Sequence, residues 1–365
     1  MGEVFQNVSR LVRQAVEETY FPGAVLVVGY QGELVYEQAV GAAALIPNVR
    51  RTTVDTVFDL ASLTKPIATA TALMLLVEAG MVRLDAPVDT YLDAGRRPDR
   101  DSPTLRQLLS HCSGLPAWRP YYQAIDPSLP QPSRRGAVYA AVQHEPLIDR
   151  PGTTVRYSDV GFILLGELVE AVSGVPLDEF CRQRIFTALQ LAGLEFRNLD
   201  RPRPAGVPFA STEHCPWRRY ILEGEVHDEN AWIMGGVAGH AGLFATARQV
   251  WQFAQSLLGG LQGRSWLVST PTVRAFTTRQ GAPEWSTWAL GWDTPTPGTS
   301  SAGQYVSPSA IGHLGFTGTS LWIDPTKQVI VVLLTNRVHP SRQREGIRTF
   351  RPLIHDAVMR ALGIA

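Results

Sequence analysis

The hydrophobic pattern divides the chain into a β-rich beginning, a helical middle and a β-rich end. Apolar residues from Val4 to Val16 recur at helical spacing and predict an amphipathic helix. The segment GAVLVVGYQGELVYEQAVG has two apolar, β-branched runs on either side of Gln31-Gly32, which is typical of a β-hairpin. A third short strand, TVFDLAS, leads into Ser62, and PIATATALMLLVE predicts a helix that is buried on most sides.

Residues 80–285 contain mostly helical patterns interrupted by Pro and Gly. The clearest are VGFILLGELVEAVSG, residues 160–174, and TARQVWQFAQSLLGG, residues 246–260. The β pattern returns in IGHLGFTGTSLWIDP and QVIVVLLTNR, and a last helix is predicted at about 343–362.

These patterns predict an α+β fold. We expect residues 1–79 and 286–365 to build one sheet domain together, flanked by helices, and residues 80–285 to form a mostly helical domain inserted between them.

Composition narrows the function classes. Lys plus Arg and Asp plus Glu each number 33, so the formal net charge is zero, and we expect neither nucleic acid nor a membrane as a partner. The three cysteines have wide spacing and predict no disulfide framework or zinc site. The sequence shows neither a signal-peptide pattern nor a run of 18 apolar residues, so a cytoplasmic location is expected. The oligomeric state stays open.

The segment FDLASLTKP, residues 58–66, carries the first candidate chemistry. The chain has only two lysines, Lys65 and Lys327, and uses arginine elsewhere. If a helix begins at Ser62, the side chains of Ser62 and Lys65 share one face. A serine nucleophile needs a base, and a lysine can lose its proton whereas an arginine in a protein cannot. Chance placement of one lysine is the alternative explanation.

Other segments strengthen the catalytic interpretation. S-L-T-K-P resembles the S-x-x-K motif of serine β-lactamases and penicillin-binding proteins. PGTTVRYSDVGFILLGELVEAVSG resembles the Y-x-N region of the class C-like branch, which includes esterases and D-aminopeptidases, and GHLGFTGTSLWIDP resembles its third motif in the H-x-G form. LRQLLSHCSGLP and GGVAGHAGLFATARQVWQFA are similar to two further family segments. The five matches follow the family order from about residue 20 to residue 340.

The resemblance implies a fold and an active site. The family has an antiparallel sheet from both chain ends, with helices on its faces, beside a mostly helical domain, and its active site lies between the two. Ser62 matches the acylated nucleophile, Lys65 its proton-transfer partner, and Tyr157 the tyrosine that shares the base role. The backbone amides of Ser62 and Phe316 match the oxyanion-hole donors, and His313 stands where the K-T-G lysine would be.

The sequence departs from the family at two substrate-facing positions. Asp159 replaces the Asn of Y-x-N, and its carboxylate can pair with Lys65 and so shift the base role toward Tyr157. Leu314 replaces the Thr of K-T-G, and His313 removes a permanent positive charge. With Gly315, these residues are expected to contact substrate. They favour a neutral ester or amide over a substrate carboxylate, although a protonated His313 would still attract an anion.

The lead hypothesis is therefore a serine hydrolase that forms an acyl-enzyme with a carboxylic ester or small amide. A β-lactamase or D-Ala-type carboxypeptidase or aminopeptidase is the first alternative, and a non-catalytic, penicillin-binding-like regulatory protein is the second. We expect a small-molecule substrate, no cofactor and no metal. His227, Asp228, Glu229 and His240 are ligand types, but their spacing fits no zinc signature and favours a hydrogen-bond network or a cleft rim.

Overall fold

Helices and strands from both ends of the chain assemble around one central sheet. The computed structural model describes residues 4–92 and 102–365. Its α-helices are α1 (Gln6–Glu17), α2 (Thr71–Glu78), α3 (Leu105–Leu109), α4 (Gln131–Gln143), α5 (Asp159–Ser173), α6 (Leu177–Cys181), α7 (Glu229–Ile233), α8 (Ala247–Leu261), α9 (Thr270–Thr277) and α10 (Ile347–Ala361). Its strands are β1 (Gly23–Tyr30), β2 (Glu33–Ala44), β3 (Arg50–Arg51), β4 (Phe58–Asp59), β5 (Glu195–Phe196), β6 (Ser211–His214), β7 (Ile221–Glu223), β8 (Leu243–Ala245), β9 (Ile311–Leu314), β10 (Ser320–Asp324) and β11 (Val329–Thr335).

The central sheet joins the two ends of the chain as the sequence predicted. Its strand order is β3-β2-β1-β11-β10-β9, and every neighbouring pair is antiparallel. β1 lies directly against β11, with Val27 opposite Val332. At the β1–β2 turn, Gln31 and Gly32 both have positive φ, which matches the right-handed twist of a two-residue hairpin. The predicted α+β class and the antiparallel sheet are confirmed.

Both faces of the sheet are covered by helices. Alternate residues of β1 point to opposite sides, so Leu26 packs with α1 and α10 in one core, whereas Val27 packs with α8 in the other. Because neither face meets water, β1 and β11 are apolar at almost every position rather than alternating with polar residues. This explains the continuous runs AVLVV and VIVVLL.

The middle of the chain surrounds the buried helix α5. Helices α3, α4 and α6 contact α5, and Gly174 ends it with a left-handed φ of 70°. Helix α8 belongs to residues 80–285 but packs against β1 and β11. The proposed division into domains therefore stays a prediction.

The described part of the chain contains no single helix with the length and apolar composition of a membrane span. Two consecutive helical segments, Asp159–Ser173 and Leu177–Phe186, reach that length and composition only when they are taken together, and the chain bends between them.

The segment around Ser62 is a tight turn between a strand and a helix. After β4, a short 3-10 turn, Ala61–Leu63, leads into a π-helical stretch, Lys65–Ala70, that continues as α2. Ala61 has a φ of 48°, which is strained for a residue with a side chain. The buried carboxylate of Asp59 accepts hydrogen bonds from the amides of Ala61, at 2.8 Å, and of His227, at 2.6 Å. Asp59 thus holds the strained turn in place.

We expect Asp59→Asn to lower the free energy of unfolding by about 1–3 kcal/mol, because the side-chain NH2 would face one of two buried backbone amides that need an acceptor. Urea unfolding measures this change. Asp55→Asn, at an exposed position on the same approach to Ser62, is the control and should alter stability by less than about 0.5 kcal/mol. Equal stability of the two variants would contradict the anchoring role of Asp59.

Candidate active site

The turn after β4 brings Ser62 and Lys65 together. Lys65 Nζ donates a hydrogen bond to Ser62 Oγ at 3.0 Å, as expected for side chains three residues apart on one helical face. The Lys65 side chain is fully buried, while Ser62 opens onto a cleft. A buried amine would be costly without partners. Lys65 finds them in Ser62, in the carbonyl oxygen of His240 at 3.4 Å, and in Asp159.

Asp159 forms an ion pair with Lys65. The distance from Lys65 Nζ to Asp159 Oδ1 is 2.6 Å, and Asp159 is the first residue of α5. The helix starts there because Ser158 Oγ caps it by accepting from the Gly161 amide at 3.0 Å. Burial by itself would lower the pKa of Lys65, but its interactions with the Asp159 carboxylate and with Tyr157 more than offset that effect, and the net pKa is raised. Lys65 therefore carries a positive charge in the resting site.

Tyr157 lies over Lys65 and faces the cleft. Its ring centroid is 4.7 Å from Lys65 Nζ, and the side chain is 36% exposed. Burial raises the pKa of Tyr157, and the charge of Lys65 opposes that rise. The rings of His111, at 4.5 Å, and Trp288, at 5.6 Å, pack against Tyr157 and fix its orientation.

His111 has a structural connection to this arrangement. Its Nδ1 accepts a hydrogen bond from the Ser158 amide at 3.0 Å, which requires an unprotonated Nδ1. Burial lowers the pKa of His111 well below its ordinary value. A neutral His111 therefore holds the loop that carries Tyr157 and Asp159.

The β9–β10 connection lies against the Ser62 turn. Thr317 Oγ1 donates to the carbonyl of Asp59 at 2.8 Å, and Thr319 Oγ1 donates to the carbonyl of Leu60 at 3.0 Å. A Cβ on Gly315 would lie 2.0 Å from Thr319 Oγ1 and 2.7 Å from the Leu60 carbonyl oxygen, so only glycine permits this approach. The β9–β10 connection and the Ser62 turn, which are far apart in sequence, are therefore in direct contact.

Two backbone amides remain available for substrate. Among residues 4–92 and 102–365, the Ser62 and Phe316 amides have no hydrogen-bond acceptor. Both belong to residues that line the same cleft. Their role as oxyanion-hole donors stays a prediction.

His313 and Leu314 end strand β9 beside these amides. His313 is buried, and its Nδ1 donates to the Leu314 carbonyl at 2.8 Å. Burial and then the charge of Lys65 lower the pKa of His313 to about 3. His313 is thus neutral at pH 7, which argues against the alternative in which a protonated imidazole attracts an anion. Leu314 is partly buried and lines the cleft.

Comparison with known proteins identifies the family of the chain. The family model for β-lactamase matches residues 8–355. The chain belongs to the β-lactamase family. This confirms the resemblance inferred from the sequence, and with it the assignment of the chain as a serine hydrolase.

Relatives and solved structures agree with the family. A protein from Escherichia coli O157:H7 named putative D-alanyl-D-alanine carboxypeptidase is 34% identical, over 92% of this chain and 83% of its own length. The octameric penicillin-binding protein homologue from Pyrococcus abyssi is 21% identical, with a TM-score of 0.74, over 98% of this chain and 77% of its own. EstCE1, a hydrolase with promiscuous acyltransferase activity, is also 21% identical, with a TM-score of 0.75, over 97% and 98%.

The cleft lined by Ser62, Tyr157 and Phe316 has charged side chains around it. Its volume is about 890 Å³. Besides the residues above, acidic, basic and aromatic side chains line it, among them Trp118, Trp288, Asp228, Glu229, Asp293, Arg337, Arg342, Arg344, Arg348 and Arg351. Asp228 Oδ1 pairs with His240 Nε2 at 2.8 Å, and Glu213 Oε2 pairs with His227 Nε2 at 3.1 Å. These histidines therefore belong to a hydrogen-bond network at the cleft.

The side chain of Phe316 is clamped at the mouth of the cleft. It is 49% exposed, yet its ring stacks on His227 at 5.6 Å and lies 4.7 Å from the Arg337 guanidinium. Arg337 Nε also donates to the Phe316 carbonyl at 2.8 Å. The loop that presents the Phe316 amide is therefore fixed from both sides.

Sequence reasoning missed three residues that shape the β-lactamase-type site. These are Asp59, which anchors the Ser62 turn, and Arg337 and Arg351, which hold the Phe316 loop. Asp59 lies in the segment FDLASLTKP, but it is not one of the residues that define the S-x-x-K motif. Arg351 did leave a signal, because it falls among the apolar positions Ile347 and Ile354 on one face of α10.

We expect Gly315→Ala to reduce kcat/KM by at least about 100-fold, since the added methyl group would displace the loop that carries the Phe316 amide. Steady-state hydrolysis of p-nitrophenyl acetate measures this loss. Gly136→Ala is the matched control: a Cβ there meets no atom within 4 Å, and alanine should stabilise α4 by about 0.5–1 kcal/mol with unchanged activity. Full activity of the Gly315 variant would contradict the required close approach.

Proposed function

We propose that this β-lactamase-family protein hydrolyses a neutral carboxylic ester or small amide through an acyl-enzyme on Ser62. The observation that carries the proposal is the hydrogen bond from the buried, charged Lys65 to Ser62 Oγ beside Tyr157 in an open cleft. A nucleophile, a proton acceptor and two unpaired amides are the parts that acyl transfer needs.

In the proposed mechanism, Ser62 Oγ attacks the substrate carbonyl carbon. Because Asp159 keeps Lys65 protonated, Tyr157 is the base, and it acts only after it has released its own phenolic proton to water, a loss that the adjacent Lys65 charge favours. The resulting tyrosinate then takes up the Ser62 proton. The oxyanion accepts hydrogen bonds from the Ser62 and Phe316 amides. Tyr157 then returns the proton to the leaving group, and a water molecule releases the acyl group by the same steps in reverse order.

The chemistry of the third motif supports a neutral substrate. His313 is uncharged, Leu314 offers only apolar surface, and Asp159 places a carboxylate at the position where a substrate anion would be repelled. The nearby rings of Trp288 and Tyr157 suit an apolar acyl group. A carboxylic ester or an uncharged amide fits these walls better than a terminal carboxylate does.

A D-alanyl carboxypeptidase is the second candidate, because the Escherichia coli relative is named a putative D-alanyl-D-alanine carboxypeptidase. Such a substrate needs a cation for its terminal carboxylate. Arg344 and Arg348 line the cleft, and Arg348 is exposed, so they are the groups that would supply it. A β-lactamase activity and a non-catalytic regulatory role are the remaining alternatives.

Ser62→Ala tests the proposal directly. The kcat of the variant toward p-nitrophenyl butyrate should be at least about 10⁴-fold lower than that of the wild type, because the covalent route is removed. Its thermal midpoint should stay unchanged. A panel of esters, D-alanyl peptides and a chromogenic cephalosporin distinguishes the alternatives. Undiminished ester turnover by Ser62→Ala would exclude the mechanism, and failure of a fluorophosphonate to label wild-type Ser62 would favour the non-catalytic alternative.

The pH dependence tests the role of Asp159. Its charge raises the pKa of both Lys65 and Tyr157, so in Asp159→Asn both pKa values fall. Whichever group acts as base then loses its proton at lower pH, and the acid limb of kcat/KM should move down by about one pH unit or more.

The matched control for this experiment is Asp149→Asn. Asp149 precedes Tyr157 on the same loop but pairs with Arg156 rather than with Lys65. Removing its charge should leave the acid limb in place. An acid limb that moves to higher pH in Asp159→Asn would contradict the assigned ion pair.

A further inference from the structure

Arg351 is a buried cation that the proposed mechanism has not used. It lies on α10 with only 7% of its surface exposed, among the apolar residues Ile347, Phe350 and Ile354. Within the described ranges, 4–92 and 102–365, no carboxylate lies at ion-pair distance from it, and its Nε has no hydrogen-bond acceptor. Burying a charge without a counter-charge costs several kcal/mol. A stabilising role alone does not account for an arginine at this position.

The donors of Arg351 reach the backbone of the Phe316 loop. Arg351 Nη2 donates to the carbonyl of Gly315 at 3.0 Å and to the carbonyl of Thr319 at 2.7 Å. The Gly318 amide also donates to the Gly315 carbonyl, at 3.1 Å. The Gly315 carbonyl is therefore held from two directions.

The Gly315 carbonyl and the Phe316 amide are two ends of one peptide group. In a trans peptide, C=O and N–H point in opposite directions, so a donor behind the carbonyl lies behind the amide as well. The guanidinium thus sits on the carbonyl side of this peptide, and the Phe316 N–H, which has no protein acceptor in the described part, points away from it.

We propose that Arg351 is a positioning residue that orients and polarises the Gly315–Phe316 peptide, so that the Phe316 amide stabilises the oxyanion more strongly. This inference rests on the proposed acyl-transfer function. A cation that binds a peptide carbonyl withdraws electron density from the attached N–H, and linked hydrogen bonds strengthen one another. A fixed positive charge behind the donor also lowers the energy of the negative charge that develops in the transition state.

Arg351 stays charged although its surroundings lower its pKa. Burial, and then the charge of Arg337, lower the pKa of Arg351 to about 9, so the guanidinium is still protonated at pH 7. His355, one turn along α10, is neutral because burial and the Arg351 charge lower its pKa to about 3.

Three substitutions separate charge, hydrogen bonding and packing. Arg351→Lys keeps the charge, Arg351→Gln keeps a donor without charge, and Arg351→Met keeps only the apolar stem. Arg360→Met is the matched control, because Arg360 is an exposed arginine on the same helix that contacts the Tyr305 hydroxyl away from the cleft.

We expect Arg351→Met and Arg351→Gln to lower kcat for p-nitrophenyl butyrate by about 10- to 100-fold with little change in KM, because the oxyanion forms only in the transition state. Arg351→Lys should recover most of this loss, and Arg360→Met should behave as wild type. Affinity for an alkyl boronic acid, which forms a tetrahedral adduct on Ser62, should fall in parallel with kcat. Thermal midpoints report folding separately from these effects.

Two results would overturn the inference. One is a kcat in Arg351→Gln within about twofold of wild type, and the other is an equal loss in Arg351→Lys and Arg351→Gln, which indicates a packing role without any effect of charge. Absence of ester turnover by the wild-type protein would instead overturn the proposed function. The two failures are therefore distinguishable.

Discussion

The buried ion pair between Lys65 and Asp159 is the interaction on which the site depends. A fully buried ammonium is tolerated only if its charge is compensated and its three donors find acceptors. Asp159, Ser62 and the His240 carbonyl supply these acceptors from three parts of the chain. The turn after β4, the start of α5 and the loop before β8 must therefore come together for Lys65 to be buried at all.

The other half of the site depends on backbone geometry. Gly315 allows β9 and its following loop to approach the Ser62 turn, where any side chain would collide with Thr319 and the Leu60 carbonyl. Arg337 and Arg351 then hold the two peptide groups on either side of Phe316. An oxyanion hole works only when its donors are fixed before the charge develops, since reorganisation during the reaction costs catalytic energy. These arginines provide that rigidity around Phe316, whose side chain is exposed.

The departures from the family pattern form a consistent set. Asp159 adds a negative charge next to Lys65 and raises its pKa, and for this reason the proposed mechanism gives the proton-accepting role to Tyr157. His313 and Leu314 remove the cation and the hydroxyl from the opposite wall, and the buried His313 does not replace the lost charge because its pKa falls to about 3. As a result, the third motif offers no group that would bind a substrate carboxylate. In the proposed mechanism, substrate preference and proton transfer therefore both depend on these charges.

The sequence by itself determined the main strands of the central sheet and the close placement of Ser62 and Lys65. Uninterrupted β-branched runs predicted β1 and β11 because strands covered on both faces need no polar alternation, and Gln31-Gly32 predicted their hairpin with β2. The three-residue spacing of Ser62 and Lys65 places two side chains on one face whatever surrounds them. Local patterns of this kind depend only on neighbours in the chain.

Only the tertiary structure decided the charge states and the supporting contacts. The last helix begins at Ile347 rather than near residue 343, because the preceding residues pass along the cleft, where Arg342 pairs with Glu213 and Glu229. The neutrality of His313, the clamp on Phe316 and the contact of Arg351 with Gly315 all join residues far apart in sequence. Burial and electrostatic fields depend on everything packed around a group, and one local stretch of sequence does not contain that information.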